Sequence, residues 1–360
     1  MPPLTDDDID ALIETLDRHN KLGVLKGKSH QERVKAFRDE AGRELLVAMI
    51  QATSGQRFKD RVYEEYSDLK GLQRTLYGVV CLVNSQRYTL DREELLLATG
   101  DATNETLDAL EKLVQRHLVV RDDVHSGYRA RHRVIADEVV NQMRRNLDVG
   151  PALEGVCFAF STRSRRDLPY SARPWRRLAR FINHDFMLRM TTADAGRTIY
   201  SRIEDLLDYD YHYWLQRGSL EVEEGDLEYA RQFLDQARSL APDNLAVDTE
   251  YAYLLIKKAG KYPDALESNE WFAEGQGYLE QVITANGKDD YYPYHVLGSQ
   301  GLSYARHAKL PLLERRSLLR HLLEVVREGV GHHPRREELI ELEKDIERRY
   351  LLTAVPEASP

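Results

Sequence analysis

Only two cysteines, Cys81 and Cys157, occur in 360 residues, far apart and with no CxxC pair. A disulfide framework and a thiolate zinc module are therefore excluded. No apolar run approaches the ~20 residues needed to cross a bilayer. The opening MPPLTDDDID is acidic and lacks the basic-then-apolar order of a secretory leader, so a cytoplasmic location is expected. Cationic excess is missing too. Sixty acidic side chains against 51 lysines and arginines give a formal charge of −9, which speaks against a general nucleic-acid coat. What is present, 42% hydrophobic and 31% charged residues, is the balance of a globular chain and not of a disordered one. The length suggests two or three domains.

Catalytic motifs are equally scarce. LGVLKGKSH contains Gly23, Gly27, Lys28 and Ser29, but its glycines are one residue too close for GxxxxGK[ST], and an acidic helix precedes it where a phosphate loop needs a strand. A helix-connecting turn with Ser29 as cap explains the string better. No Gly-x-Ser-x-Gly elbow occurs, and Cys157 has no evident histidine partner. His332 and His333, between Gly331 and Pro334, lack a Cys or carboxylate at ligand spacing, so a solvated turn is expected there and no metal site. The chain is not expected to be an enzyme.

Periodicity is helical almost throughout. Thr5 with Asp8 and Ser29 with Glu32 have the spacing of capping boxes. Behind the first, Ile9, Leu12, Ile13 and Leu16 mark one helix face. A third helix carries Leu45, Leu46, Met49 and Ile50 and ends at Gly55, and a charged fourth runs from Phe58 to Leu69. Residues 1–69 thus form a small helical, lid-like domain with little apolar surface of its own.

Residues 70–149 change character. An apolar helix, Leu72 to Val83, is followed by a short helix capped by Thr89 and ending at Gly100. A third, capped by Thr103, reads ETLDALEKLVQRH. Two short β-prone runs then flank a turn containing Gly127, and the helix IADEVVNQMRRNL closes the segment. Three helices followed by a β-hairpin is the winged-helix order.

From 150 to 354 only helices are expected, with a disordered tail at 355–360. Trp214, Gly218, Gly225, Ala230, Ala237 and Pro242 fall at spacings of 4, 7, 5, 7 and 5, the tetratricopeptide pattern. Arg217 and Glu221 depart from it, standing where a leucine and an aromatic are usual. One such unit cannot bury its apolar face alone. Degenerate partners are present: Val247–Lys258 with Trp271–Ile283, Tyr294–His307 with Leu312–Val330, and a charged closing helix, Glu337–Leu351. The fold class is therefore mostly α: a small helical domain and a winged helix with a short β-hairpin, then an α-solenoid of tetratricopeptide-like helix pairs.

Three residue groups are candidates for function. His132, flanked by Arg131 and Arg133 where a β-run enters a helix, either packs or faces water, or else points at a phosphate oxygen brought by another domain. Tyr211, Tyr213, Tyr251 and Tyr253 either line a concave repeat surface or fill helix–helix seams. Eight arginines against two aspartates lie between Arg163 and Arg189, and Arg173, Arg176, Arg177 and Arg180 among them mark a basic docking patch. Nine acids against Arg217 alone follow between Glu204 and Glu228, so the two blocks are alternatively neighbouring solvated faces or faces that pair.

A helical lid, a winged helix ending in a histidine before an Ile-Ala-rich helix, and tetratricopeptide-type repeats together resemble the C-terminal portion of a STAND-class signalling ATPase. The opening helices resemble the segment after the ATPase core in bacterial members, many of them linked to phage defence. In that class a Met-His-Asp-like motif places its histidine on the β-phosphate of bound ADP. The matching position is His132, with Arg131 and Arg133 in place of the methionine and aspartate. The resemblance implies a non-catalytic regulatory and sensor module with no cofactor in this chain. ADP or ATP would be held by a separate nucleotide-binding domain or effector, in cis or in trans, and a protein ligand by the repeats. Neither a membrane nor a nucleic acid is expected as a partner. The alternatives are a winged-helix DNA-binding regulator and a stand-alone repeat scaffold. The regulator would read DNA with Glu105–His117, whose Glu105, Asp108 and Glu111 against Lys112 and Arg116 are the wrong charge for a groove.

Overall fold

Helix starts are written locally in this chain. At Thr5 and at Ser29 the side-chain oxygen accepts from the backbone N–H three residues on, while Asp8 and Glu32 reach back to the cap. Both carboxyls titrate below their ordinary range because those bonds favour the charged form. The computed structural model describes residues 4–40, 45, 49, 58–100, 104–122 and 127–353. The expected helix ending at Gly55, the cap at Thr103 and the tail at 355–360 fall largely or wholly outside them. The chain divides into two compact units, Met1–Arg163 and Ser164–Pro360.

In the first unit, α1 (Asp6–Arg18), a 3-10 turn (Gly23–Leu25), and α2 (His30–Lys35) running into a wider turn (Ala36–Glu40) enclose a core of their own. Ile9, Ile13 and Leu16 meet Leu22, Leu25, Ala36 and Phe37. The segment thus buries more apolar surface by itself than its charge-rich sequence suggests. After α3 (Phe58–Ser67), α4 (Gly71–Ser85) is buried continuously from Leu76 to Val83. Around it pack α5 (Arg92–Thr99), α6 (Asn104–Gln115), α7 (Arg133–Arg145) and α8 (Gly150–Arg163). Asp91, not the expected Thr89, caps α5, and Gly100 ends it in a left-handed conformation. β1 (Val119–Asp122) and β2 (Gly127–Ala130) pair antiparallel, Val119 opposite Ala130 and Asp122 opposite Gly127. A bridge from Leu90 to Tyr128 ties the hairpin to the start of α5.

Residue 150 therefore does not open a new unit. α8 packs on α4 and α5, Gly155 leaving no space for a Cβ against the Ala98 carbonyl. Arg163, at its end, pairs with Asp91 at 3.3 Å and with Glu93.

The second unit is helical among its described residues: α9 (Arg173–Phe181), α10 (His184–Met190), α11 (Ala193–Leu207), α12 (Tyr211–Glu224), α13 (Leu227–Leu240), α14 (Leu245–Lys261), α15 (Ser268–Asn286), α16 (Tyr292–His307), α17 (Leu312–His332) and α18 (Glu337–Leu352). From α12 onward each helix packs on the next, and α12, α14, α16 and α18 also pack in succession. α16 and α17 run antiparallel: a Cβ at Gly298 would meet Val326, and one at Gly301 would meet Leu322. Gly218 is buried at such a crossing, with Leu234 where its Cβ would be. No helix among the described residues is long and apolar enough to cross a membrane.

Candidate functional site

His132 is the N-cap of α7 and is exposed, its Nδ1 accepting from the Val134 N–H at 3.2 Å. Its neighbours are held apart from it: Arg131 pairs with Glu65, and Arg133 with Asp137 one turn along. The imidazole therefore keeps Nε2 for solvent or for a ligand.

The four arginines of the basic block share one face of α9 at i, i+3, i+4 and i+7, but only Arg173, Arg176 and Arg180 are exposed on it; Arg177 is buried. The Arg180 guanidinium lies over the Phe186 ring, 4.9 Å from its centre. The acidic block finds cations elsewhere: Glu204 pairs with Arg217, Glu221 with Arg197, Glu223 with Lys257 and Glu228 with Lys258.

Of the four candidate tyrosines, Tyr213, Tyr251 and Tyr253 are buried and Tyr211 is half-buried. Tyr213 donates to the Tyr200 carbonyl at 2.9 Å, Tyr251 meets the Tyr278 ring edge-on, and Tyr211 meets Tyr170. Those three stand in seams. Tyr253 differs: its hydroxyl donates to Glu223 Oε1 at 2.6 Å, and Lys257 Nζ donates to Glu223 Oε2 at 3.3 Å.

Tyr253 belongs to a row of polar side chains along the first helix of each pair. On α12 the row is His212, Gln216, Ser219 and Glu223; on α14 it is Glu250, Tyr253 and Lys257; on α16 it includes Tyr292. Three- and four-residue steps place each set on one helix face. Glu250, 8% exposed, accepts from Ser219 Oγ at 3.0 Å and from Tyr292 Oη at 3.1 Å. Gln216 Oε1 takes the His184 N–H at 3.0 Å and joins the Nδ1 of the same residue. Burial pushes the His212 imidazole below its ordinary pKa, and its Nε2 has no hydrogen-bond partner among the described residues. Burial and the adjoining carboxylates push Tyr253 and Tyr292 up, so both hydroxyls remain donors at any physiological pH. Sequence reading finds Tyr253 and misses the rest. The spacing within α12 and α14 carries the signal, but which faces meet across helices is not a local property.

Burial likewise raises the Glu250 carboxyl above its ordinary value, against the opposing pull of His184 and its two hydroxyl donors. The folded chain then holds this proton more tightly than the unfolded chain. Its contribution to stability is complete below the ordinary carboxyl range and is lost as pH rises through the elevated value. Glu250→Gln, whose Oε1 accepts from one hydroxyl while its Nε2 donates to the other, does not ionise and is expected to remove that fall. Unfolding in urea between pH 4 and pH 8 checks this: the variant should gain relative to the parent chain as pH rises, and parallel curves would exclude it.

No group of three or more His, Cys, Asp and Glu side chains suited to a metal converges among the described residues. Comparison with protein-family models, curated proteins and solved structures returned no match to this chain.

Proposed function

We propose that this chain is the recognition and regulatory portion of a STAND-type signalling ATPase, acting in the cytoplasm and without catalysis of its own. The first unit is read as lid helices and a winged helix, the second as tetratricopeptide-like repeats that take a protein ligand. One observation carries the reading: the polar row on α12, α14 and α16, with a carboxylate kept buried at an energetic disadvantage at its centre. A charge that costs stability where it sits is the usual mark of a binding or reacting surface. The exposed His132 at a helix N-terminus supports the second half of the reading, since imidazole and free amides together suit the phosphate of a nucleotide on a separate domain. The mechanism is a two-state switch in which ligand favours the open form.

Two experiments test the halves separately. A peptide-display selection on the full chain should enrich sequences whose capture is lost in Glu223→Gln/Glu250→Gln. No enrichment, or capture indifferent to the pair, rejects the recognition surface. For the latch, His132→Asn preserves an N-cap acceptor and removes the imidazole. ADP affinity of the assembled protein, or of the chain with its nucleotide-binding domain, should weaken by about tenfold, the worth of one charge-assisted hydrogen bond. Equal affinity removes the latch.

A further inference from the structure

A second site lies away from that row, between the second helices of two successive pairs. α15 and α17 run side by side, bridged at one end by His321 Nε2 and Glu280 Oε1 at 2.8 Å and at the other by His333 Nε2 and the Gly287 carbonyl at 2.8 Å. Between the bridges is a pocket of about 600 Å³, within the range of small-ligand sites. Tyr294 forms part of its wall, and two glycines give that ring its place: a Cβ at Gly287 would meet the hydroxyl at 2.5 Å, and one at Gly329 would meet Cγ at 2.8 Å.

The chemistry of the pocket has one sign. Glu280, Asp289 and Glu328 line it against Lys288 alone among permanent charges. Glu328 Oε1 accepts from Tyr294 Oη at 3.0 Å, and Glu280 Oε1 also accepts from Gln276 Nε2 at 2.7 Å. In both carboxylates Oε2 has no hydrogen bond among the described residues. Burial, with Glu328 beside it, pushes the Tyr294 hydroxyl up, so it stays a donor and keeps the carboxylate oriented. The wall also contains the last turn of α15. The Ile283 carbonyl takes the Gly287 N–H and the Asn286 carbonyl takes two, whereas those of Thr284 and Ala285 take none among the described residues. A helix C-terminus with orphan carbonyls attracts cations. Ile283, Ala285 and Val325 add aliphatic surface beside these acceptors.

We propose that this pocket binds a primary ammonium or guanidinium group carried on an aliphatic stem, the head between Glu280 and Glu328 and the stem along Val325 and Ile283. The cation is organic rather than a bare metal, because the carboxylates stand on separate helices and no three metal ligands converge among the described residues. The group arrives either as a free small amine or at the end of a peptide side chain.

Titration calorimetry of the full chain tests this with agmatine as the free cation, acetyl-arginine amide as the side-chain form and acetyl-citrulline amide as the neutral isostere. Saturable binding of at least one cation, and none of the isostere, is expected. Agmatine alone identifies a free amine, and the capped arginine alone identifies a peptide side chain. Glu328→Gln should weaken binding by about tenfold. Val325→Phe, which fills the gap, should abolish it with the unfolding midpoint of the chain preserved. Absence of saturable binding by either cation at millimolar concentration overturns the proposal, as does undiminished binding in Glu280→Gln/Glu328→Gln. Because the site shares no residue with the row on α12, α14 and α16, neither result bears on that row.

Discussion

Gly218→Leu is expected to destabilise the second unit by roughly 2–3 kcal/mol, the upper part of the usual overpacking range. Its Cβ would fall 2.7 Å from Leu234 Cγ and 2.8 Å from Leu234 Cδ2. Leu234 is fully buried, so it has little space into which to retreat. The added branches would force α12 away from α13, and the Trp214 stack on Phe233, with centres 5.8 Å apart, would open with it. Urea unfolding followed by tryptophan fluorescence measures the loss. A midpoint unchanged from the parent chain would mean that this crossing is looser than its geometry and would undercut the helix-pair reading of residues 211–240.

The second large effect is expected from Arg197→Ala. The guanidinium of Arg197 forks onto Glu221, Nε to Oε1 at 2.7 Å and Nη2 to Oε2 at 3.0 Å. The Glu221 side chain is only 6% exposed, while that of Arg197 is 38% exposed. Removing the arginine strands a buried carboxylate, which costs about 3–5 kcal/mol for a fully buried pair. Water reaching the arginine side reduces the expected loss to about 2–3 kcal/mol. The double variant Arg197→Ala/Glu221→Leu should recover most of it, because an apolar residue in that slot leaves no charge to desolvate. Equal loss in the single and double variants would locate the effect in the arginine stem and not in the pair.

Neighbouring side chains explain two departures from the repeat pattern, Glu221 and Arg217. Glu221 occupies a slot where the repeat pattern has an aromatic, and it is tolerated because Arg197, on the preceding α11, supplies the countercharge. Arg217, in place of a leucine, lays its guanidinium over the Phe233 ring at 4.2 Å and donates to Glu204 Oε2 at 2.6 Å. Both substitutions face α11, which precedes the first recognisable pair.

Where a feature is set within one turn of helix, it was legible. The boxes at Thr5 and Ser29 closed as spaced, and the helices expected from Val247, Trp271, Tyr294, Leu312 and Glu337 formed within a few residues of their expected ends. The start of α5 was misplaced by two residues. Asp91 has Glu94 three positions on to complete its box, while Leu90, beside Thr89, is taken by the bridge to Tyr128. What stayed hidden depends on partners distant in sequence. Arg163 looks like part of a basic run until Asp91 and Glu93 are found beside it. Ser219, Glu250 and Tyr292 come from three helices, and their meeting cannot be inferred from any one of them.

The stacking of helix pairs has a further consequence for how the second unit comes apart. α14 buries ten of its side chains, whereas α18 buries only Leu339 and Ile346. With interactions confined to near neighbours, such an assembly frays from its weaker edge instead of melting at once. Amide exchange should therefore be fastest in α18, slower in α17 and slowest around α14, a gradient that reports the order in which neighbours let go.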